Sequence, residues 1–128
     1  MALGFKATVA NSLLDSLLRN TSYTGPATLF IQLHTGSPGA AGTSNVAGNS
    51  TRKAIAFNAA SGGISASTSD VTWTNVSTTE TYSHFSLWDL VSAGNFLADG
   101  TMTANAVTAG DTFTISAGSD TATLNVAS

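Results

Sequence analysis

Residues 82–88 read YSHFSLW, and this stretch decides the fold. Apolar Phe85 and Leu87 alternate with polar His84 and Ser86, which is the period-two pattern of a β-strand. Because successive side chains of a strand point to opposite faces, the alternation predicts two sets, Phe85 and Leu87 on one face and Tyr82, His84, Ser86 and Trp88 on the other. The pattern makes this segment the best candidate for the central strand of a sheet.

Further short segments with strand character lie on both sides of it, separated by turns rich in Gly, Ser, Asn and Asp. They cover residues 28–34, 53–57, 64–66, 71–73, 96–103, 112–115 and 121–126. About eight short strands at such spacing are typical of a β-sandwich or a small jelly roll. We therefore expect a mainly β, β-sandwich or jelly-roll-like domain over residues 27–126.

One segment near the start has a helical period instead. Its apolar side chains fall at i, i+4, i+5, i+8 and i+9 and form one stripe of a helix over residues 7–20. They are Val9, Leu13, Leu14, Leu17 and Leu18. The polar residues 20–22 and the following Gly25-Pro26 end it. We expect the stripe to pack on the chain's own sheet, and the alternative is that it docks on a partner subunit.

Composition excludes several classes of function. The chain has 128 residues, which favours a single domain over residues 1–128. Charged residues make up 9%, against about 25% in an average protein, and the net charge is −3. No basic run is present to neutralise nucleic-acid phosphates. No apolar run approaches the roughly 20 residues of a membrane-spanning helix, so we expect neither nucleic acid nor membrane as a partner.

The titratable residues do not form a recognisable catalytic or metal site. Ser86, His84 and Asp89 contain the residue types of a nucleophilic triad, but Asp89 is at an odd offset from the other two and should point to the opposite face. A metal site from His34, His84 and a carboxylate would need two strands to be neighbours on one face, which the spacing does not require. We predict no catalytic residue, no metal and no cofactor, and hence no enzyme.

Two sets of side chains have alternative interpretations. The aromatic residues Trp73, Tyr82 and Trp88 either pack in a core or an interface, or form a platform on which a sugar stacks. The basic pair Arg52-Lys53 is either a solvated guard on an edge strand or the contact for an acidic partner. The Gly- and Pro-containing loop over residues 35–45 is expected to be exposed and either functional or mobile.

The order and spacing of several motifs resemble a family of short virion proteins of tailed bacteriophages, labelled tail fibre, minor tail or capsid decoration proteins. The motifs are LLDSLLRNTSY (13–23), PATLFIQLHT (26–35), RKAIAF (52–57), HFSLWD (84–89) and AGDTFTISAG (109–118). The resemblance implies a structural virion protein, made in the cytoplasm of the host bacterium and carried on the particle surface.

Two roles follow from this resemblance. The first is a capsid decoration protein that binds the major capsid protein and itself, as a homotrimer. The alternative is a tail-fibre or minor tail protein that contacts other tail proteins and a host surface glycan. In both roles the candidate interface consists of Val9, Leu13, Leu14, Leu17, Leu18, Arg52 and Lys53.

Overall fold

The computed structural model describes residues 3–124 and 126–127. Within them the chain forms one helix and nine strands: β1 (Leu3–Phe5), α1 (Ala7–Arg19), β2 (Leu29–His34), β3 (Lys53–Ile55), β4 (Ile64–Ala66), β5 (Val71–Trp73), β6 (Glu80–Trp88), β7 (Phe96–Val107), β8 (Phe113–Ile115) and β9 (Thr121–Thr123). The prediction of a mainly β chain with one N-terminal helix is confirmed. The predicted strand 121–126 includes residue 125, which lies outside the described residues, as do residues 1, 2 and 128 of the predicted single domain.

Five strands form the main sheet in the order β1-β7-β6-β2-β3. Every neighbouring pair is antiparallel. Strand β6 lies in the middle, as the alternation of residues 82–88 predicts. Strand β1 was not predicted, because three residues, Leu3–Phe5, are too few to show a period.

A second layer covers one face of this sheet. The ribbon of β5 and β8 buries alternate side chains and exposes the residues between them. Trp73 and Phe113 of the ribbon have ring centroids 5.9 Å apart, and Tyr82 of the main sheet meets Phe113 at 5.0 Å. Together with Ile31, Leu33, Phe85 and Leu87 they form a single hydrophobic core. This two-layer packing is sandwich-like, and a further small ribbon joins β4 to β9.

The predicted placement of Tyr82 is wrong. Strict alternation puts Tyr82 opposite Phe85, but both side chains are fully buried in the same core. The cause is an irregularity in the pairing of β6 with β7, where Tyr82 pairs with Asn105 while His84 pairs with Thr101. One residue of β6, Ser83, thus opposes three residues of β7, 102–104, and such an irregularity re-aims the side chains beside it.

Helix α1 forms where predicted but does not bury its stripe. It ends at Asn20, which adopts the left-handed conformation common at helix C-termini. No residue of the helix is buried. Leu14, Leu17 and Leu18 are 55%, 81% and 72% exposed. The expectation that the whole stripe packs on the chain's own sheet is therefore wrong, because only Val9 of the stripe is half-buried and Leu13 is already 37% exposed.

Candidate functional site

The second face of the main sheet carries a buried polar layer rather than a solvated surface. Residues 35–52, here called the covering loop, fold back over this face. The loop is fastened by backbone bonds from Thr35 N to Asn45 O and from Ala47 N to Leu33 O, at 2.9 and 3.1 Å. Glu80 adds a second anchor, since its carboxylate accepts the N–H groups of Gly48 and Asn49. The loop is thus largely exposed on its outer side, as expected, but held in place on its inner side.

His34 and Ser86 lie at the centre of this polar layer. The imidazole Nδ1 donates to the carbonyl oxygen of Ser44 at 2.8 Å, so the proton of the neutral ring sits on Nδ1. Nε2 then accepts from the Ser86 hydroxyl at 2.7 Å, and the indole N–H of Trp88 donates to the same hydroxyl at 2.7 Å. Burial lowers the pKa of His34, an effect reinforced by His84 and opposed by the hydrogen bond to Ser44. The neutral ring is therefore favoured, and the polar side-chain atoms of His34, Ser86 and Trp88 all have hydrogen-bond partners.

A serine hydroxyl on a histidine nitrogen is the first requirement of a nucleophilic dyad, but this pair lacks the others. Both side chains are fully buried, so no substrate reaches the hydroxyl. The group that orients the imidazole is a backbone carbonyl, not the carboxylate that stabilises an imidazolium. The geometry fits a structural link between the sheet and the covering loop.

The triad and the metal site considered from the sequence are not assembled. His84 bonds to Ser83 and Asp89 bonds to Asn95, while Ser86 bonds to His34. The strand pairing does bring His34 directly opposite His84, which the spacing could not show. Both ring nitrogens of His34 are nevertheless occupied, and among the described residues no three His, Cys, Asp or Glu side chains are grouped to hold a metal ion.

Arg52 closes the polar layer at its edge. Its guanidinium carbon lies 3.9 Å from the centroid of a Trp88 ring. The same group donates to the carbonyl oxygens of Leu90 and Ala93 at 2.9 and 2.7 Å, and to the Gln32 side chain at 3.3 Å. Arg52 is thus used inside the chain, and its contact with an acidic partner stays a prediction. Lys53 lies on the edge strand β3, where a basic guard was expected.

The aromatic residues do not form a sugar platform. Trp73, Tyr82 and Trp88 are 1%, 0% and 7% exposed. Trp88 has Arg52 on its ring and Phe96 beside it at 5.7 Å between centroids. The alternative that these rings stack on a glycan is wrong, and the interpretation as packed residues is confirmed for all three.

Apolar surface is instead exposed around helix α1. We call Leu14, Leu17 and Leu18 the leucine face. Beside the helix lies an apolar groove of about 260 Å³ between α1 and the main sheet. Its lining includes Phe5, Leu13, Gly25, Leu29, Phe57 and Leu97. Periodicity located the stripe, but it gave no sign of the groove, which residues from distant parts of the chain form.

A small mainly β domain with a closed polar layer and an exposed apolar helix face is built to bind or to assemble. The family model of the podophage GP4 fiber I protein gp80 matches residues 4–123. The match spans most of the 128 residues, and the chain belongs to this family of phage fibre proteins. No curated protein matches the chain.

Membership confirms the resemblance to virion proteins of tailed phages. The chain is therefore a structural protein of the virion. A structural fibre family agrees with the expectation that the chain is not an enzyme. In the described part of the chain, no helix is both long enough and apolar enough to cross a membrane.

Proposed function

We propose that the chain is a structural subunit of a phage tail fibre. The observation that supports this role most directly is the match of residues 4–123 to a fibre protein. The fold suits the role, because the β5–β8 ribbon and the covering loop close the two faces of the main sheet. Its partners in this role are other tail proteins.

A contact with a host surface glycan would then use the outer side of the covering loop. Ala40, Ala41 and Thr43 are exposed there, while the inner side of the loop is hydrogen-bonded to the sheet. Loops held by a rigid scaffold are common places for recognition. The buried tryptophans take no part in it.

Capsid decoration is the second candidate, and the low charge of the chain favours it. Charged residues are 9% of the sequence and the net charge is −3. Hundreds of copies could therefore sit close together on a capsid lattice with little mutual repulsion. In this role the partner is the major capsid protein.

Copy number separates the two roles. Purified virions are digested, and the chain is quantified by mass spectrometry with isotope-labelled peptides, using the major capsid protein and a tail protein as internal standards. A fibre subunit is expected at a handful to a few dozen copies, in fixed ratio to the tail protein. A ratio to the major capsid protein near one, or near a simple fraction such as one third, would contradict the fibre role and favour decoration.

A further inference from the structure

The apolar arc of α1 is wider than the surface that the rest of the chain offers to it. Each residue turns an α-helix by about 100°, which places Leu17, Leu14 and Leu18 roughly 80°, 140° and 180° from Val9. Val9 and Leu13 line the apolar groove, so Leu14 and Leu18 point away from it, and Leu17 lies between them and the groove-lining side of the helix. Leu17 and Leu18 are 81% and 72% exposed. Helices of this length are marginal in water unless an apolar face is packed, so a partner surface is missing.

The groove has the size and chemistry of the missing surface. An apolar cavity of about 150 Å³ holds a benzene molecule, which has six carbons. The groove of about 260 Å³ therefore has room for two leucine side chains with four carbons each. The lining is formed by aliphatic and aromatic residues such as Leu29, Phe57 and Leu97. One chain thus carries both a projecting pair of leucines and a recess that fits them.

We propose that the occupant is a second copy of this chain, with the leucine face of one copy inserted into the apolar groove of the next. Charge does not oppose the contact, since α1 carries only the exposed pair Asp15 and Arg19, 3.6 Å apart and mutually neutralising. Because the two surfaces differ, a single contact leaves one leucine face and one groove unused, and both are used on every chain only when two copies pair reciprocally about a two-fold axis or when successive contacts close into a ring.

The buried area favours a closed assembly over a single one-sided contact. Burying a leucine removes roughly 60–120 Å² of apolar surface, the area that corresponds to its transfer free energy. The side chains of one leucine face alone therefore fall short of the roughly 800 Å² per partner of a stable two-chain interface. In a reciprocal pair or a closed ring each chain uses both its leucine face and its groove, which increases the apolar area that each chain buries. This inference does not depend on where in the virion the chain lies.

The test uses the full chain and two variants that disable one surface each. Leu17→Asp combined with Leu18→Asp puts charges on the leucine face. Gly25→Trp is designed to fill the groove, since Gly25 is part of its lining and a Cβ built at Gly25 meets no atom within 4 Å. The matched control is Leu90→Asp, the same change at a leucine that is 54% exposed and belongs to neither the leucine face nor the groove lining. Circular dichroism melts check that each variant is folded.

Sedimentation velocity is expected to show the wild type and the control as a multiple of the 12.9 kDa chain, and each surface variant as a monomer. Mixing the two monomeric variants is expected to give a one-to-one heterodimer that cannot grow, since one intact leucine face meets one intact groove. A monomeric wild type at the highest soluble concentration would overturn the proposal. So would an assembled Gly25→Trp variant, which would mean that the helices pair with each other.

Discussion

The substitution Asp120→Asn is expected to stabilise the protein at neutral pH. The Asp120 side chain is fully buried, and within the described residues neither carboxylate oxygen has a hydrogen-bond partner. Burial disfavours the charged form and raises the pKa of Asp120 from the ordinary value of 3.8 to about 6. The residue stands directly before β9, where its own carbonyl accepts the N–H of Ser67. The buried carboxylate therefore lies at the point where the last strand is attached.

The direction of the pH dependence follows from the two pKa values. The contribution of Asp120 to the free energy of unfolding is highest below pH 3.8, where Asp120 is protonated in both states. It falls between 3.8 and about 6, because the unfolded state loses its proton first, and it stays low above that range. The two pKa values differ by about two, and at about 1.4 kcal/mol per pKa unit this amounts to about 3 kcal/mol. That figure is an upper bound for the gain, since the asparagine amide also finds no partner.

Urea denaturation of wild type and variant at pH 4 and pH 7.5 measures the effect. The difference in unfolding free energy is expected to be small at pH 4 and to grow in favour of the variant by pH 7.5. Asp111→Asn serves as the matched control at an exposed carboxylate that accepts the N–H of Thr108, and it is expected to lose stability at pH 7.5. A variant that is less stable than wild type at pH 7.5, or equally altered at both pH values, would refute the reasoning.

Three further substitutions test the polar layer and its covering loop. Ser86→Ala removes two buried hydrogen bonds and is expected to cost roughly 1–3 kcal/mol in urea denaturation; an unchanged midpoint would contradict the network. Arg52→Lys loses the planar stack on Trp88 and part of the hydrogen bonding of Arg52 and should lower the melting temperature. An unchanged melting temperature would show that only the positive charge matters. Gly42→Ala is expected to destabilise the fold strongly, because the new Cβ would collide with the Phe96 ring. In the control Gly62→Ala the new Cβ meets no atom within 4 Å, so the loss should be only the strain of the left-handed backbone, about 1–2 kcal/mol. Equal losses in the two alanine variants would argue against a tight loop.

Strand positions were predictable from the sequence because a sheet with covered faces imposes a period of two on its side chains. Residues 82–88 therefore indicated the central strand. The same rule misplaced Tyr82, because the irregularity opposite residues 101–105 is a property of the pairing. A single sequence shows which residues alternate, but not where two strands lose register.

The polar layer was beyond sequence reasoning for a related reason. His34 and Ser86 are separated by 52 positions in the chain, and only the pairing of β2 with β6 makes them neighbours. The exposed–buried pattern of the covering loop likewise depends on the hydrogen bonds that fasten it. Residues that bond across strands carry no local signature, so the sequence supplied candidates without their partners.

The leucine stripe shows where hydrophobic periodicity stops being informative. A hydrophobic period of 3.6 indicates that one face of a helix is apolar, but it does not indicate which surface packs against that face. In this chain only Val9 of the stripe is half-buried, and the exposure rises from 37% at Leu13 to 55–81% at the leucines beyond it. A protein with 9% charged residues has few other means of keeping such a face soluble. The exposure is therefore best understood as one half of a contact, and the apolar groove on the same chain supplies a matching other half.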